Sequence, residues 1–261
     1  VAVDREIFSF GSRRQHPAIA TMVERSAWIG GVDGVSNTCA PDGLPLAGTM
    51  PHAFVMCYPS PDEAFMEFDR HSPPGVPRIM LCDTFCDEKR ESLTGARCGA
   101  EAVRLDTPRS RRGDMRAILE EVRWELDAAG YPGVRIFLSG GVTLDDVARY
   151  RDIVGAFGVG GAIANAPVID FAMDMVEKEG KKCAKRGKRS GAKQVWELPG
   201  GRHVTLPVEV AGPAGAEPLL QPRVREGSVL SRSTVEEARQ RVLARIPILR
   251  DSGKGGQRGR A

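Results

Sequence analysis

The sequence has 261 residues, of which 41% are hydrophobic and 27% are charged, and its formal net charge is +3. These values are close to those of an average globular domain, so they exclude a fibrous chain and, for most of the length, a disordered one. A single large domain, alone or with a small addition, fits this length.

The start of the chain and its apolar stretches bear on location. It begins VAVDREIFSF, with neither an initiator Met nor a charged and apolar signal sequence, so we expect a fragment of a longer protein. The most apolar stretch, Val154 to Ile169, is shorter than the roughly 20 residues that a membrane-spanning helix needs. We predict a soluble protein with no membrane segment.

Six cysteines are spread along the chain without a disulfide spacing: Cys39, Cys57, Cys82, Cys86, Cys98 and Cys183. Several stand in apolar runs, where a free thiol packs as a small hydrophobic group. Free thiols indicate a reducing compartment, so we predict a cytoplasmic protein. No fourth ligand accompanies Cys82, Cys86 and Cys98 at a plausible spacing, and we predict no protein-ligated metal site.

The amino-terminal part of the chain predicts two helices and two short strand-like pieces. The first helix runs from His16 to Trp28, with Pro at its second position and apolar residues on one face. The strand-like pieces GGVDGVSN and PLAGTMPHAFV follow it. The second helix covers residues 61 to 71 and is closed by Pro73 and Pro74.

The central part repeats strand and helix at a regular interval. Strands are predicted to begin near Arg78, Ala102, Val134 and Ala156, about 22 to 32 residues apart, which is the length of a strand plus a crossover helix. The clearest helix covers residues 112 to 129, because its apolar residues recur at helical spacing. We therefore predict an α/β fold, an incomplete or irregular TIM-like β/α barrel.

Beyond the barrel the pattern changes to short antiparallel strands joined by Gly turns. We expect a barrel domain over residues 1–168, then a β-rich module with a final helix over 169–250. The basic run at 181–193 has no interleaved aromatic, which favours a solvated hairpin or an anion-binding rim over a nucleic-acid site. The final helix is predicted from Ser233 to Leu249 by the STVEE start, and the tail at 251–261 is predicted to be disordered.

Four predicted strand ends carry residues suited to a sugar phosphate. Asp83 and Asp106 close two strands, where a carboxylate can accept hydrogen bonds from ribose hydroxyls or help to hold Mg²⁺, although a lone Asp there is as often a helix N-cap. The pairs Gly140-Gly141 and Gly160-Gly161 expose backbone N–H groups that a phosphate can approach, since no Cβ intervenes. Active sites of β/α barrels lie where strands end, so these positions predict a sugar-phosphate substrate.

Arginines and one histidine stand in or beside the same loops. The arginines are Arg13, Arg14, Arg104, Arg109, Arg111 and Arg112. A guanidinium binds phosphate or carboxylate through two parallel hydrogen bonds, so their number suits a polyanionic substrate, while solvation explains any single one. His52 precedes a predicted helix, where its imidazole could be a nucleophile, a base, an anion contact or a packed side chain.

Six segments, in this order, resemble nicotinate phosphoribosyltransferases of the archaeal and bacterial type: SFGSRRQHPA, IGGVDGVSN, LAGTMPHAF, VRLDTPRSRRGD, LSGG and FGVGGAI. The resemblance covers residues 8–195 and implies the barrel of a type II phosphoribosyltransferase. It implies an enzyme of NAD salvage that forms nicotinate mononucleotide and pyrophosphate from nicotinate and phosphoribosyl pyrophosphate. ATP as co-substrate, Mg²⁺ and a cytoplasmic homodimer belong to the same expectation.

The resemblance also assigns roles to individual residues. His52 matches the histidine that ATP phosphorylates, and Asp83 and Asp106 match acids on the ribose and pyrophosphate side. The expected substrate-binding residues are Arg13, Asp33, Ser36, Asn37, Arg104, Ser139, Gly140, Gly141, Gly160 and Gly161. Among them the Gly pairs match the cradle of the 5′-phosphate, and Asp33, Ser36 and Asn37 match the side of the base.

Two departures from the family limit what the resemblance implies. Family members carry an N-terminal α/β domain before SFGSRR, with an aromatic residue that stacks on nicotinate, and this sequence has none of it. We therefore expect the isolated chain to lack full activity. Some archaeal relatives have a four-Cys zinc knuckle beyond the KRGK segment, where this chain has only Cys183, so no zinc is expected.

Other functions stay open at this point. Quinolinate phosphoribosyltransferase shares the architecture but needs neither ATP nor a phosphohistidine, and the GTMPHA and FGSRR segments argue against it. The second alternative is an inactive fragment that only binds nucleotide or a partner chain. An aldolase-like barrel would need a Schiff-base lysine at a strand end, and none of the four strand-end runs contains Lys.

Overall fold

The computed structural model of the chain describes residues 4–41, 43–106 and 113–255, with side chains described as far as residue 247. It divides into two compact units, Val1–Ala166 and Pro167–Ala261. The boundary predicted between residues 168 and 169 lies two residues further along the chain than this division.

The described part of the first unit alternates strands with helices. The strands are β1 (Glu6–Ser9), β2 (Gly34–Val35), β3 (Ile79–Leu81), β4 (Ala102–Leu105), β5 (Arg135–Leu138) and β6 (Ala156–Val159). The helices are α1 (Ala20–Gly30), α2 (His52–Met56), α3 (Pro61–His71), α4 (Glu88–Arg97), α5 (Met115–Ala128), α6 (Leu144–Tyr150) and α7 (Gly161–Ala164). The four strands that were predicted to begin near 78, 102, 134 and 156 are β3 to β6.

The six strands form one parallel sheet in the order β2-β1-β6-β5-β4-β3. Its register aligns Ser9 with Val159 and Leu105 with Leu138, so neighbouring strands end at the same level. Because all strands run the same way, the loops that follow them gather at one edge of the sheet. This architecture agrees with the predicted incomplete β/α barrel.

The two faces of the sheet pack differently, because successive side chains of a strand point to opposite sides. On the outer face, residues such as Met80, Leu105 and Leu138 pack against apolar side chains of α3 to α6. On the inner face, Phe137 packs with Ile79, Ala102 and Ala156, and stacks on two partly buried phenylalanines of the β1 region. Burial on both faces explains why these strands read as continuous apolar runs.

Helix ends agree with local signals in the sequence. The Ser60 side chain accepts a hydrogen bond from the Glu63 N–H, and Pro61 opens α3, as predicted for residues 61 to 71. The helix predicted from His16 begins as a 3₁₀ turn at Pro17–Ile19. It continues as α1 to Gly30 and is capped by Gly31, whose φ of 109° suits a residue without Cβ.

One predicted element is wrong and others were missed. PHAFV was predicted to be strand-like, yet His52–Met56 forms α2, because Pro51 supplies the extended residue before a helix start. Only Leu46 in that segment bridges to a strand residue, Val35. The sequence did not indicate β1, which lies between β2 and β6. It implied the crossover helices α4 and α6 by the spacing of the strands but gave no bounds for them.

The second unit consists of short antiparallel strands and one long helix. Its described strands are β7 (Glu177–Lys178), β8 (Lys181–Lys182), β9 (Lys193–Glu197), β10 (His203–Pro207), β11 (Glu217–Pro218), β12 (Val224–Arg225) and β13 (Ser228–Val229), and its helix is α8 (Val235–Gly255). Thr234 directly precedes α8, and its side chain accepts a hydrogen bond from the Glu237 N–H, as the STVEE start predicts.

The predicted tail at 251–261 needs a correction. Residues 251–255 are helical rather than disordered, since a helix once formed gains one hydrogen bond for each residue that it adds. Residues 256–261 lie outside the described part of the chain.

The basic run at 181–193 is largely engaged within the second unit. Lys185 and Lys188 pair with Asp174 at 2.8 and 3.1 Å, and Lys182 pairs with Glu209 at 2.6 Å. The Lys193 ammonium donates to backbone carbonyls of the same loop. These internal contacts favour the solvated hairpin among the roles considered for this run.

All six cysteines are free thiols, but they are not uniformly buried: Cys82 is buried, whereas Cys39, Cys57 and Cys86 are exposed. Within the described residues, no helix combines the length and the apolar character that crossing a membrane requires.

Candidate active site

A cavity of about 890 Å³ lies where the strands of the first unit end. Residues from Phe10 to Gln15 follow β1, Ser36 and Asn37 follow β2, and Gly140 and Gly141 follow β5. The segment from Ala47 to His52 completes one wall. The cavity therefore lies at the edge where β/α barrels carry out chemistry.

Ten of the thirteen predicted site residues line this cavity: Arg13, Ser36, Asn37, His52, Arg104, Asp106, Gly140, Gly141, Gly160 and Gly161. Asp83 and Ser139 are buried behind it and contact Asp106. Asp33 lies elsewhere: it precedes β2, is exposed, and accepts a hydrogen bond of 2.7 Å from the Ile7 N–H. Asp33 thus joins two strands near their beginnings and does not face the cavity.

Asp106 is the centre of a polar network at the end of β4. Its Oδ1 accepts a hydrogen bond of 2.5 Å from the Ser139 hydroxyl, and its Oδ2 lies 3.2 Å from Nη2 of Arg104. Its backbone N–H donates to Oδ2 of Asp83 at 2.7 Å. Residues at the ends of three strands therefore hold Asp106 in one orientation. Asp106 is the only acid that lines the cavity in the described part of the chain.

Arg104 is held just as firmly. Its residue is 7% exposed, its Nη1 donates to the Met50 carbonyl at 3.3 Å, and its guanidinium lies 5.8 Å from the centre of the Phe10 ring. Its Nε has no hydrogen-bond partner among the described residues. Since a buried N–H without a partner is costly, this group suits an anionic ligand in the cavity.

His52 begins α2 and connects the cavity to the two acids. Its Nδ1 lies 3.2 Å from the Thr84 hydroxyl, while its Nε2 lies 3.6 Å from Oδ2 of Asp106 and 3.9 Å from Oδ1 of Asp83. The Nε2 atom forms no hydrogen bond within the described residues. One ring nitrogen is therefore oriented by Thr84, and the other is directed toward the carboxylates.

At the pairs Gly140-Gly141 and Gly160-Gly161, backbone without side chains forms part of the cavity wall. Gly140 and Gly141 have φ values of 88° and 80°, a conformation that other residues rarely adopt. A Cβ on Gly160 would lie 2.9 Å from the Phe10 carbonyl oxygen, and one on Gly158 would lie 2.8 Å from the Phe10 ring. Backbone N–H groups without side chains can approach a phosphate closely.

Gly160→Ala is expected to weaken both folding and substrate binding, because the new methyl group meets backbone and not a side-chain tip. Overpacking of this kind costs about 1–3 kcal/mol. Urea unfolding of the full-length protein measures the first effect, and its binding affinity for the substrate measures the second. Gly133→Ala is the control, since a Cβ there meets nothing within 4 Å; equal effects of the two substitutions would contradict the close approach.

Hydrogen bonds to α1 and α7 hold the turn that carries two arginines of the cavity. Arg13 and Arg14 lie in a 3₁₀ turn whose first residue, Ser12, donates a hydrogen bond to the carboxylate of Glu24. Glu24 is completely buried. Gln15 donates to the Ala164 carbonyl at 3.0 Å, which fastens the turn to α7.

Sequence reasoning missed Glu24, Thr84 and Glu91 as contributors to the site. A signal existed for Glu24, because Ala20, Glu24 and Ala27 share one helical face and an acid there is unusual. Glu91 lies in the polar segment EKRESLTGAR, where nothing marks one acid as buried. The predicted Arg109, Arg111 and Arg112 lie outside the described residues.

Burial of Glu91 raises the pKa of its carboxyl, and hydrogen bonds from three backbone N–H groups oppose that shift. The buried Cys82 thiol next to Asp83 also has a pKa well above its usual value, mainly because of its burial. A thiol in that state is inert, so Cys82 packs and does not react.

The acids present do not form a metal cage of their own. In residues 4–41, 43–106 and 113–247, no group of three or more His, Cys, Asp or Glu side chains is placed to hold a metal ion. Asp106 nevertheless directs a carboxylate at the cavity. Mg²⁺ commonly binds through one or two carboxylates together with substrate phosphates, and this arrangement fits that mode.

Comparison with known proteins agrees with this geometry. Residues 1–174 match the family model described as quinolinate phosphoribosyl transferase, C-terminal domain. Two nicotinate phosphoribosyltransferases of Mycobacterium tuberculosis are 31% and 29% identical, over 94% and 95% of this chain and 58% and 60% of their own lengths. The chain thus spans about three fifths of the curated relatives that it matches.

A solved structure supports the same relationship. The crystal structure of nicotinate-nucleotide pyrophosphorylase from Pyrococcus furiosus superimposes with a TM-score of 0.88 and is 44% identical in sequence. The match covers 94% of this chain and 66% of the other. The similarity therefore extends through both units of the chain.

Proposed function

Because the chain belongs to the type II phosphoribosyltransferase family defined by the C-terminal domain of quinolinate phosphoribosyl transferase, we propose that its full-length protein is a nicotinate phosphoribosyltransferase. The reaction joins nicotinate to phosphoribosyl pyrophosphate and releases nicotinate mononucleotide and pyrophosphate, in NAD salvage. The observation that carries the proposal is the Arg104–Asp106–Ser139 network next to two bare Gly loops at one sheet edge. The names of the relatives support nicotinate as the base.

The two anionic groups of the sugar phosphate would bind in different parts of the cavity. The N–H groups of Gly140-Gly141 and Gly160-Gly161 would hold the 5′-phosphate, since they combine positive potential with open approach. Arg104 would bind the pyrophosphate, because its Nε N–H has no hydrogen-bond partner within the described residues. The hydrogen bond from its Nη1 to the Met50 carbonyl holds the guanidinium in place. C1 of the ribose then lies between these two anion sites, near Asp106.

Bond cleavage at C1 builds positive charge on the ribose. As the C1–O bond to pyrophosphate breaks, the pyridine nitrogen of nicotinate forms the new C1–N bond, and the carboxylate of Asp106 stabilises the oxocarbenium character between them. Asp83 is buried behind Asp106. Its carboxylate accepts a hydrogen bond from the Asp106 N–H and so holds Asp106 in position. Arg13 and Arg14 supply charge for the anionic groups of the substrates. Mg²⁺, when bound, would neutralise the leaving pyrophosphate beside Asp106.

ATP coupling belongs to the proposal and rests on His52. His52 lines the cavity, and its buried Nε2 carries no hydrogen bond within the described residues, which leaves this nitrogen as a candidate phosphoryl acceptor. A phosphoryl group there would add negative charge beside Asp83 and Asp106, next to the ribose and pyrophosphate positions. ATP hydrolysis would in this way bias binding and turnover.

Assembly and location complete the proposal. Five apolar side chains of the second unit are exposed in a segment without helix or strand: Val168, Ile169, Phe171, Met173 and Met175. An exposed apolar run of this kind favours contact with more polypeptide, which supports a homodimer. The free thiols support a reducing compartment, and we place the enzyme in the cytoplasm.

Product analysis of the full-length protein tests the proposal. Incubation with phosphoribosyl pyrophosphate, Mg²⁺, ATP and nicotinate is expected to yield nicotinate mononucleotide and pyrophosphate. Quinolinate, labelled in its 2-carboxylate, is the control substrate, because the matched family model carries the name of the quinolinate enzyme. Release of labelled CO₂ without turnover of nicotinate would replace this proposal with the quinolinate reaction.

A further inference from the structure

Glu91 of α4 is a buried carboxylate that the proposed mechanism does not use. It is 3% exposed, and both of its oxygens accept backbone N–H groups of the loop that follows β3. Oε2 accepts from Thr84 at 2.9 Å, and Oε1 accepts from Phe85 at 2.9 Å and from Asp87 at 3.4 Å. An acid so far from water is costly unless it is hydrogen-bonded, and here the loop backbone supplies the bonds.

The loop held by Glu91 has an unfavourable backbone conformation. Cys86 has a φ of 63°, a value that residues other than Gly seldom adopt, and its side chain is exposed. The residues on either side of it, Phe85 and Asp87, both donate their N–H groups to Glu91. Strain that persists because surrounding bonds impose it is common near functional sites.

The same loop orients the histidine of the cavity. Thr84 donates its backbone N–H to Glu91, and its hydroxyl lies 3.2 Å from Nδ1 of His52. Fixing the backbone of Thr84 fixes where that hydroxyl meets the ring. The opposite nitrogen of His52 then lies between 3.6 and 3.9 Å from Asp106 and Asp83.

We propose that Glu91 is a positioning residue, which acts through Thr84 to hold the His52 ring with Nε2 directed at Asp83 and Asp106. The inference rests on the proposed function, in which His52 accepts a phosphoryl group from ATP. Glu91 touches neither substrate nor the reacting atoms. A substitution at Glu91 lowers the rate because the imidazole is misplaced, and it does so only while Thr84 carries its hydroxyl.

A double-mutant cycle in the full-length protein tests the proposal. Glu91→Gln turns an amide NH₂ toward a backbone N–H, and Thr84→Val removes the hydroxyl while keeping the shape. Each is expected to lower the ATP-stimulated kcat by about 10- to 100-fold, the scale of a small misplacement, and the double variant should lose no more than the worse single one. Thr84→Ser, which keeps the hydroxyl, is expected to restore most of the rate.

Controls separate positioning from a general structural role. Glu101→Gln is the matched control, since Glu101 also accepts a backbone N–H, from Arg78, but near the start of β4. If Glu91→Gln does not fold, Glu91→Asp withdraws the carboxylate by one methylene, and the same cycle is run with it. If the rate losses of the two single variants multiply in the double variant, the positioning role of Glu91 is wrong, but the proposed function of the protein is not affected. A wild-type protein that forms no nicotinate mononucleotide would overturn the proposed function and this inference together.

Discussion

His52→Ala in the full-length protein is expected to abolish the stimulation of nicotinate mononucleotide formation by ATP. His52 provides the one imidazole among the described residues lining the cavity, and its Nε2 forms no hydrogen bond with any described residue. General acid–base and nucleophilic groups contribute about 10²–10⁴-fold, so the loss in the ATP-dependent rate should reach that scale. Rates with and without ATP, together with transfer of label from γ-labelled ATP to the protein, measure the effect.

His71→Ala is the control for this prediction, because His71 is an exposed histidine that pairs with Glu67 in α3, away from the cavity. It should keep the stimulation and the labelling. Persistence of both in His52→Ala would remove ATP coupling from the proposed mechanism and leave phosphoribosyl transfer to be judged separately.

Arg104→Met is expected to have the second large effect, on both binding and stability. The variant removes the cation that contacts Asp106 and leaves that carboxylate, whose side chain is 20% exposed, without its charge partner. Loss of hydrogen bonds to charged groups in such a place costs about 2–3 kcal/mol of unfolding free energy. Loss of a group that stabilises developing charge lowers kcat/KM by about 10²–10³-fold.

The matched control is Arg135→Met, which breaks a pair with Glu6 at the start of β5. Both side chains of that pair are nearly half exposed, and surface pairs contribute little, at most about 1 kcal/mol. Urea unfolding and steady-state kinetics of the two variants make the comparison. Equal effects would show that Arg104 has no special role at the cavity.

The strand ends could be predicted from the sequence because buried parallel strands are continuous apolar runs that stop where polar chemistry begins. Asp106 and the Gly pairs were found in this way, and the structure places them around one cavity. The same logic failed for β1: its four residues include the charged Glu6, which pairs with Arg135 across the sheet. So short a run carries too little periodicity to be recognised.

Parts of the site could not be predicted, because they depend on contacts between segments that are far apart in the sequence. Asp33 stands next to a strand, yet it precedes β2, and only the paired strands reveal that it lies away from the carboxyl edge. Glu91 looks like any other acid on a polar helix until the loop after β3 folds onto it. Nor does spacing reveal that Ser139 supports Asp106, since 33 residues separate them.

A crystal structure of the full-length protein with phosphoribosyl pyrophosphate and Mg²⁺ tests whether this cavity holds a phosphoribosyl group. We expect the 5′-phosphate on the N–H groups of Gly140-Gly141 and Gly160-Gly161, the pyrophosphate at Arg104, and ribose C1 facing Asp106. A ligand bound elsewhere in the protein, with these groups uncontacted, would contradict it.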